Sequence, residues 1–124
     1  MKSKIILCTI FIMSLLSMTA CKITSNKPIS DNTVNNKKTA YENYLKETYP
    51  NETFTVNIWQ EYGTDIGGAG LPDYEGYMLR QVITDSKGNR FKVFEYGNGK
   101  YSDDYQKVLD GTIRYDEKGE QIFN

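Results

Sequence analysis

From Thr53 to Ile58 polar and apolar residues alternate without a slip, and Trp59 follows. A period of two is the signature of a β-strand: it places Phe54, Val56 and Ile58 on one face and Thr55, Asn57, Trp59 and Glu61 on the other. Such a strand cannot stand alone, because its apolar row needs a cover. The cover is written just upstream. Ala40, Tyr41, Tyr44, Leu45 and Thr48 fall on one helical face, Thr39-Ala40-Tyr41-Glu42 matches a capping box, and Pro50 stops the run. A helix of about ten residues is marginal in water, so its Tyr44 and Leu45 stripe must pack on the sheet.

Two further strands are expected, over residues 74–84 and 90–96, joined by Asp85-Ser86-Lys87-Gly88-Asn89. The glycine stands where a hairpin loop needs a left-handed residue. The same grammar recurs at Asp116-Glu117-Lys118-Gly119-Glu120, which predicts a second hairpin between residues 112–115 and 121–123. Residues 103–109 have helical spacing at Tyr105, Val108 and Leu109, with Asp103 as cap and Gly111 at the end; a continuing strand fits them nearly as well. The sum is an α+β domain over residues 39–124. One amphipathic helix lies across a curled antiparallel sheet of about five strands, an outline similar to the cystatin-like arrangement.

The first twenty residues do not belong to that fold. Lys2 and Lys4 precede fourteen apolar or small residues from Ile5 to Met18. As a helix these reach about 21 Å, short of the roughly 20 residues needed to span a bilayer. A charged start, a short apolar stretch and small residues mark a secretory signal over residues 1–20. Met18-Thr19-Ala20-Cys21 resembles the lipobox of bacterial lipoproteins, with Met18 where Leu is commoner. That resemblance covers residues 1–21 only. It implies cleavage after Ala20, a diacylglyceryl group on Cys21, and a protein held at the extracytoplasmic face of a cell membrane by two or three acyl chains. An ordinary signal peptide cut at the same bond would leave Cys21 free. Residues 21–38, rich in Asn, Ser and Thr, read as a disordered tether able to carry the domain about 50 Å from the headgroups.

Composition then excludes chemistries. There is no histidine, which removes Ser-His-Asp triads, Cys-His nucleophiles and ordinary zinc sites. Cys8 lies in the signal, so Cys21 has no partner for an intrachain disulfide. No cofactor or metal is expected. Residues 22–38 carry four lysines against one aspartate, while residues 39–124 carry nine Lys and Arg against fifteen Asp and Glu. A basic tether suits an anionic leaflet, and an acidic domain speaks against nucleic acid.

The glycine-rich loop with Gly67, Gly68 and Gly70 lacks the Lys-Ser or Lys-Thr and the helix start of a phosphate loop, so it is read as a mobile connection and a candidate contact segment. Trp59 shares the polar face of its strand, and Tyr62, Tyr74 and Tyr77 flank the adjoining loop. Together they form a candidate binding surface, although Trp59 itself is read first as packed, under the loop or against an aromatic on the next strand. Asp103, Asp104 and Asp110 lack calcium-loop spacing and are expected to be a helix cap or solvated turn. Asn51-Glu52-Thr53 fits a glycosylation pattern but is expected to stay unmodified in a bacterial lipoprotein. The expected function is a non-enzymatic envelope module that binds a protein, peptide or glycan. The alternatives are a carboxylate hydrolase using Glu61 with Asp73 or Glu95 with Asp103, and an inhibitor or immunity-type lipoprotein.

Overall fold

The computed structural model describes residues 22–25, 27–65 and 72–123. The expected signal peptide, Cys21, and the loop glycines Gly67, Gly68 and Gly70 lie outside the described residues. The elements are β1 (Lys22–Ser25), α1 (Asp31–Thr48), β2 (Phe54–Asp65), β3 (Asp73–Asp85), β4 (Arg90–Phe91), β5 (Val93–Tyr96), β6 (Lys100–Asp103) and α2 (Tyr105–Leu109). The class is α+β, with one long helix. The chain divides into two units. One holds Met1–Lys27 and Tyr62–Gly76, where β1 runs parallel to the start of β3 from Lys22↔Asp73 to Ser25↔Gly76. The other holds Pro28–Glu61 and Tyr77–Asn124.

Helix α1 corrects the tether. It begins at Asp31, eight residues before the capping box at Thr39, and β1 occupies part of the stretch expected to be disordered. The working cap is Ser30, whose Oγ accepts from the Thr33 N–H at 3.2 Å, with Asp31 favourably placed in the first turn. A second tie reaches across the chain: Gln60 accepts from the Ile29 N–H at 2.9 Å and donates to the Ile29 carbonyl at 3.0 Å. This side chain pairs with the helix entrance as a strand backbone would. Val34, Lys37, Tyr41 and Leu45 then turn inward, and Lys37 Nζ lies 5.7 Å from the Tyr41 ring centroid.

The single sheet of about five strands is also corrected. The strand order is β1-β3-β2 with β4 on β3, and β5 pairs with β6 in a separate two-stranded sheet. The expected strand over residues 90–96 breaks at Lys92. Its N–H donates to Asp104 Oδ1 at 2.8 Å and its carbonyl accepts from the Asp104 N–H at 3.3 Å, so its backbone is committed outside the ladder. Beyond the break, the Gln81 amide takes both backbone groups of Val93, at 2.7 and 3.0 Å. Strand β6 was not expected; its hairpin turns through Gly97 and Gly99.

The first predicted turn is present. Asp85 Oδ1 accepts from the Lys87 and Asn89 N–H groups, and Gly88 sits at φ 89°. The second turn has the same bonds around Asp116, yet its expected strands shrink to one bridge, Tyr115↔Gln121. Phe123 is left 81 % exposed there, so no apolar face extends the ladder. Residues 105–109 are helical, which settles the open alternative. Asp104 caps α2 by position, while Asp103 Oδ1 accepts from the Tyr105 N–H at 3.0 Å.

The core joins Tyr41 and Leu45 of α1 to Val56, Ile83, Phe91, Val93 and Tyr105. Phe91 lies 4.5 Å from Tyr105 and 5.3 Å from Phe54, centroid to centroid. Four tyrosine hydroxyls in and around it end on carboxylates: Tyr44 and Tyr49 on Asp103, Tyr105 on Asp85, Tyr115 on Asp104.

Candidate functional site

The alternation of β2 decides what faces outward. Val56 is buried with the core, while Asn57, Trp59 and Glu61 line a groove of about 420 Å³ on the opposite face. From β3 comes Arg80, whose Nε lies 3.2 Å from Glu61 Oε2; both side chains are about half exposed, so the pair is worth under about 1 kcal/mol. Phe94, 44 % exposed, adds a second aromatic. The remaining wall is the turn Glu117, Lys118, Gly119 and Glu120. Three cations and three carboxylates thus surround an aromatic pair: Arg80, Lys92 and Lys118 against Glu61, Glu117 and Glu120.

The turn is docked by backbone. Gly119 is buried at φ 74°, and an added Cβ would run into the Gln81 carbonyl oxygen. Tyr115, just before the turn, donates to Asp104 and lies under Lys92 Nζ at 5.0 Å from its centroid. Burial and the Asp104 hydrogen bond push the Tyr115 hydroxyl well above its ordinary range. A Gly119→Ala chain is expected to lose about 1–3 kcal/mol, because left-handed strain and a backbone collision add. Denaturant unfolding checks this; a midpoint equal to that of the parent chain would refute the docking.

Trp59 and Tyr77 belong to one unit, Tyr62 and Tyr74 to the other. Trp59 is half-buried in the groove wall, whereas Tyr77 does not line the groove. Arg80, Lys92, Phe94 and the second turn were missed. Only Gly119 in its turn signature hinted that this loop needs a close approach.

The acidic candidates are employed in the fold. Asp103 is not a solvated turn: it accepts from Tyr44 at 2.7 Å and Tyr49 at 2.9 Å besides the α2 amide. Asp104 is 6 % exposed and accepts from Lys92 and Tyr115. Asp110 keeps the turn reading, since hydrogen bonds from Thr112 hold its carboxyl below the usual range. Glu95 is exposed on β5, opposite Tyr101 and two positions from Asp103's partner Val93. Among the described residues, no group of three or more Cys, Asp or Glu is placed to hold a metal ion, and no helix is long and apolar enough to cross a membrane. Compared with known proteins, the chain matches no family model, and no curated protein or solved structure is significantly similar to it.

Proposed function

We propose that this chain is an extracytoplasmic lipoprotein, anchored through lipid on Cys21, whose small domain binds a protein, peptide or glycan of the cell envelope without transforming it. The observation that carries the binding role is Trp59. It stands on the outward face of β2 in a 420 Å³ groove with Phe94 and six charged side chains, a composition that matches the aromatic anchors and polar rim of recognition sites. The lipobox carries the location. A cystatin-like outline belongs to this reading and is supported by Tyr41 and Leu45 sharing the buried cluster with Val56 and Ile83. The hydrolase alternative draws no support from Asp103, whose oxygens are taken up by tyrosines. An inhibitor or immunity role is a special case of binding.

Replacing Trp59 by Ala is expected to weaken retention of an envelope partner by about thirtyfold, as for an aromatic hot spot of about 2 kcal/mol. Its melting temperature should stay near that of the parent, since the side chain is outside the core cluster. The check is a pull-down from detergent-solubilised envelope, with Asn35→Ala on the exposed face of α1 as control. Equal recovery by the two variants would remove Trp59 from the site.

A further inference from the structure

The groove that holds Trp59 lies over two strands already bonded to each other. Asn57, Trp59 and Glu61 come from β2, and Leu79, Arg80 and Gln81 from β3, its neighbour in the strand order. A ligand in it therefore meets side chains, and an extended peptide finds no open strand to pair with. At about 420 Å³ the groove has the size of a small-molecule site.

The charges of its lining are balanced and mostly engaged. Arg80 Nε lies 3.2 Å from Glu61 Oε2, and Glu117 Oε1 lies 3.8 Å from Arg90. Lys92 Nζ sits over the Tyr115 ring, and Lys118 and Glu120 put one charge of each sign on the turn. A charged ligand would meet a like charge beside every opposite one, which is unfavourable. An uncharged hydroxyl faces no such conflict, because it donates to a carboxylate and accepts from a cation at once. Asn57 adds an exposed amide that also does both.

The apolar half of the match is aromatic. Phe94 pairs with Ser102 and Tyr96 with Lys100, which puts these four on one face of the β5–β6 hairpin. All four are exposed, while Val93 on the opposite face is buried. Phe94 lines the groove beside Trp59; Tyr96, 56 % exposed, stands about 6.6 Å from it along the same strand. Aromatic faces set in a row, with donors and acceptors around them, fit a chain of pyranose rings, whose C–H faces are apolar and whose rims are hydroxyls.

We propose that the Trp59 groove, continued by Tyr96, binds an uncharged glycan chain. This deepens the binding reading and rests on it, choosing glycan over protein and peptide.

The test titrates the full chain, in a detergent without sugar headgroups, with cellohexaose and chitohexaose. It follows the emission of Trp59, the one tryptophan of the chain. At least one of the two hexamers is expected to change that emission saturably. Phe94→Ala and Tyr96→Ala should each weaken its binding about three- to tenfold, the worth of an aromatic contact, while the circular dichroism stays that of the parent. Hexagalacturonate and protonated hexaglucosamine, charged on every ring, should bind at least about tenfold more weakly. The proposal is overturned if neither neutral hexamer moves the emission, if a charged hexamer binds as tightly, or if both aromatic variants bind like the parent. An envelope protein captured through Trp59 while the neutral hexamers leave the emission unchanged keeps the groove as a binding site and removes the glycan. Capture indifferent to Trp59, with no response to either hexamer, removes both readings.

Discussion

Replacing Asp104 by Ala is expected to destabilise the domain by about 2–4 kcal/mol, the range for removing a buried carboxylate that satisfies several donors. The side chain is 6 % exposed, and its two oxygens hold the Lys92 N–H at 2.8 Å and the Tyr115 hydroxyl. Alanine leaves the Lys92 amide without its acceptor at the point where β4 ends and β5 begins. For a domain of this size the melting temperature should fall by about 10–20 °C. The loss has a functional side as well. Tyr115 precedes the turn that walls the Trp59 groove, and its other ties are the bridge to Gln121, a cation–π contact with Lys92 and a long bond from Arg90 to its carbonyl at 3.5 Å. A Tyr115→Phe chain keeps the Asp104 grip on Lys92 and drops only the hydroxyl clip, so it should lose about 1 kcal/mol and still weaken partner binding. Calorimetry on both variants checks this. An Asp104→Ala chain that melts with the parent would show that the carboxylate holds nothing together.

What could be read from the sequence was what is local. The alternation at Thr53 to Ile58 named the strand, its apolar row and the opposite face that carries Trp59, because a strand's side-chain period needs no outside information. The turns at Asp85 and Asp116 were legible for the same reason: an aspartate bonds the amides two and four residues on, and glycine supplies the left-handed position. Lipid on Cys21 and an envelope location are carried by the lipobox alone and stand as proposals.

Two of the misses share a cause: a side chain far away in sequence substitutes for backbone. The first turns of α1 show Asn32, Asn35 and Asn36 to solvent and carry no hydrophobic period, so the helix reads as linker until Gln60 is seen to bond Ile29. The break at Lys92 follows from Asp104 and Gln81, twelve residues away on either bond. The groove was half legible, since its Trp59 side follows from alternation. Its other wall depends on where a loop docks, and that contact is glycine backbone against the Gln81 carbonyl, with no side chain to betray it.

The widest consequence of the tyrosine–carboxylate clips is an expected collapse of the fold between about pH 10 and 12. Burial first, and then the bond to Asp103, pushes Tyr44 up to about 12. Tyr49, Tyr105 and Tyr115 are displaced in the same direction by burial and by Asp103, Asp85 and Asp104 respectively. The sign follows from proton counting. In the unfolded chain these phenols titrate near 10, so between that value and their folded values the native state holds more protons and stability falls as pH rises; below about pH 10 the contribution is complete. Each such tyrosine removes at most about 1.4 kcal/mol per pH unit, and less for Tyr44, Tyr49 and Tyr115, whose partial exposure screens them. Four acting together can exhaust a stability of about 5–10 kcal/mol within two units. Absorbance at 295 nm followed with circular dichroism should show early tyrosines ionising on a folded chain and the late group ionising only as the helix signal is lost. In an Asp103→Asn chain Tyr44 and Tyr49 should ionise earlier than in the parent, burial alone still holding them up, while Tyr105 and Tyr115 keep their place. All ten tyrosines ionising near pH 10 with the helix signal intact would mean that the hydroxyls are not held by the carboxylates.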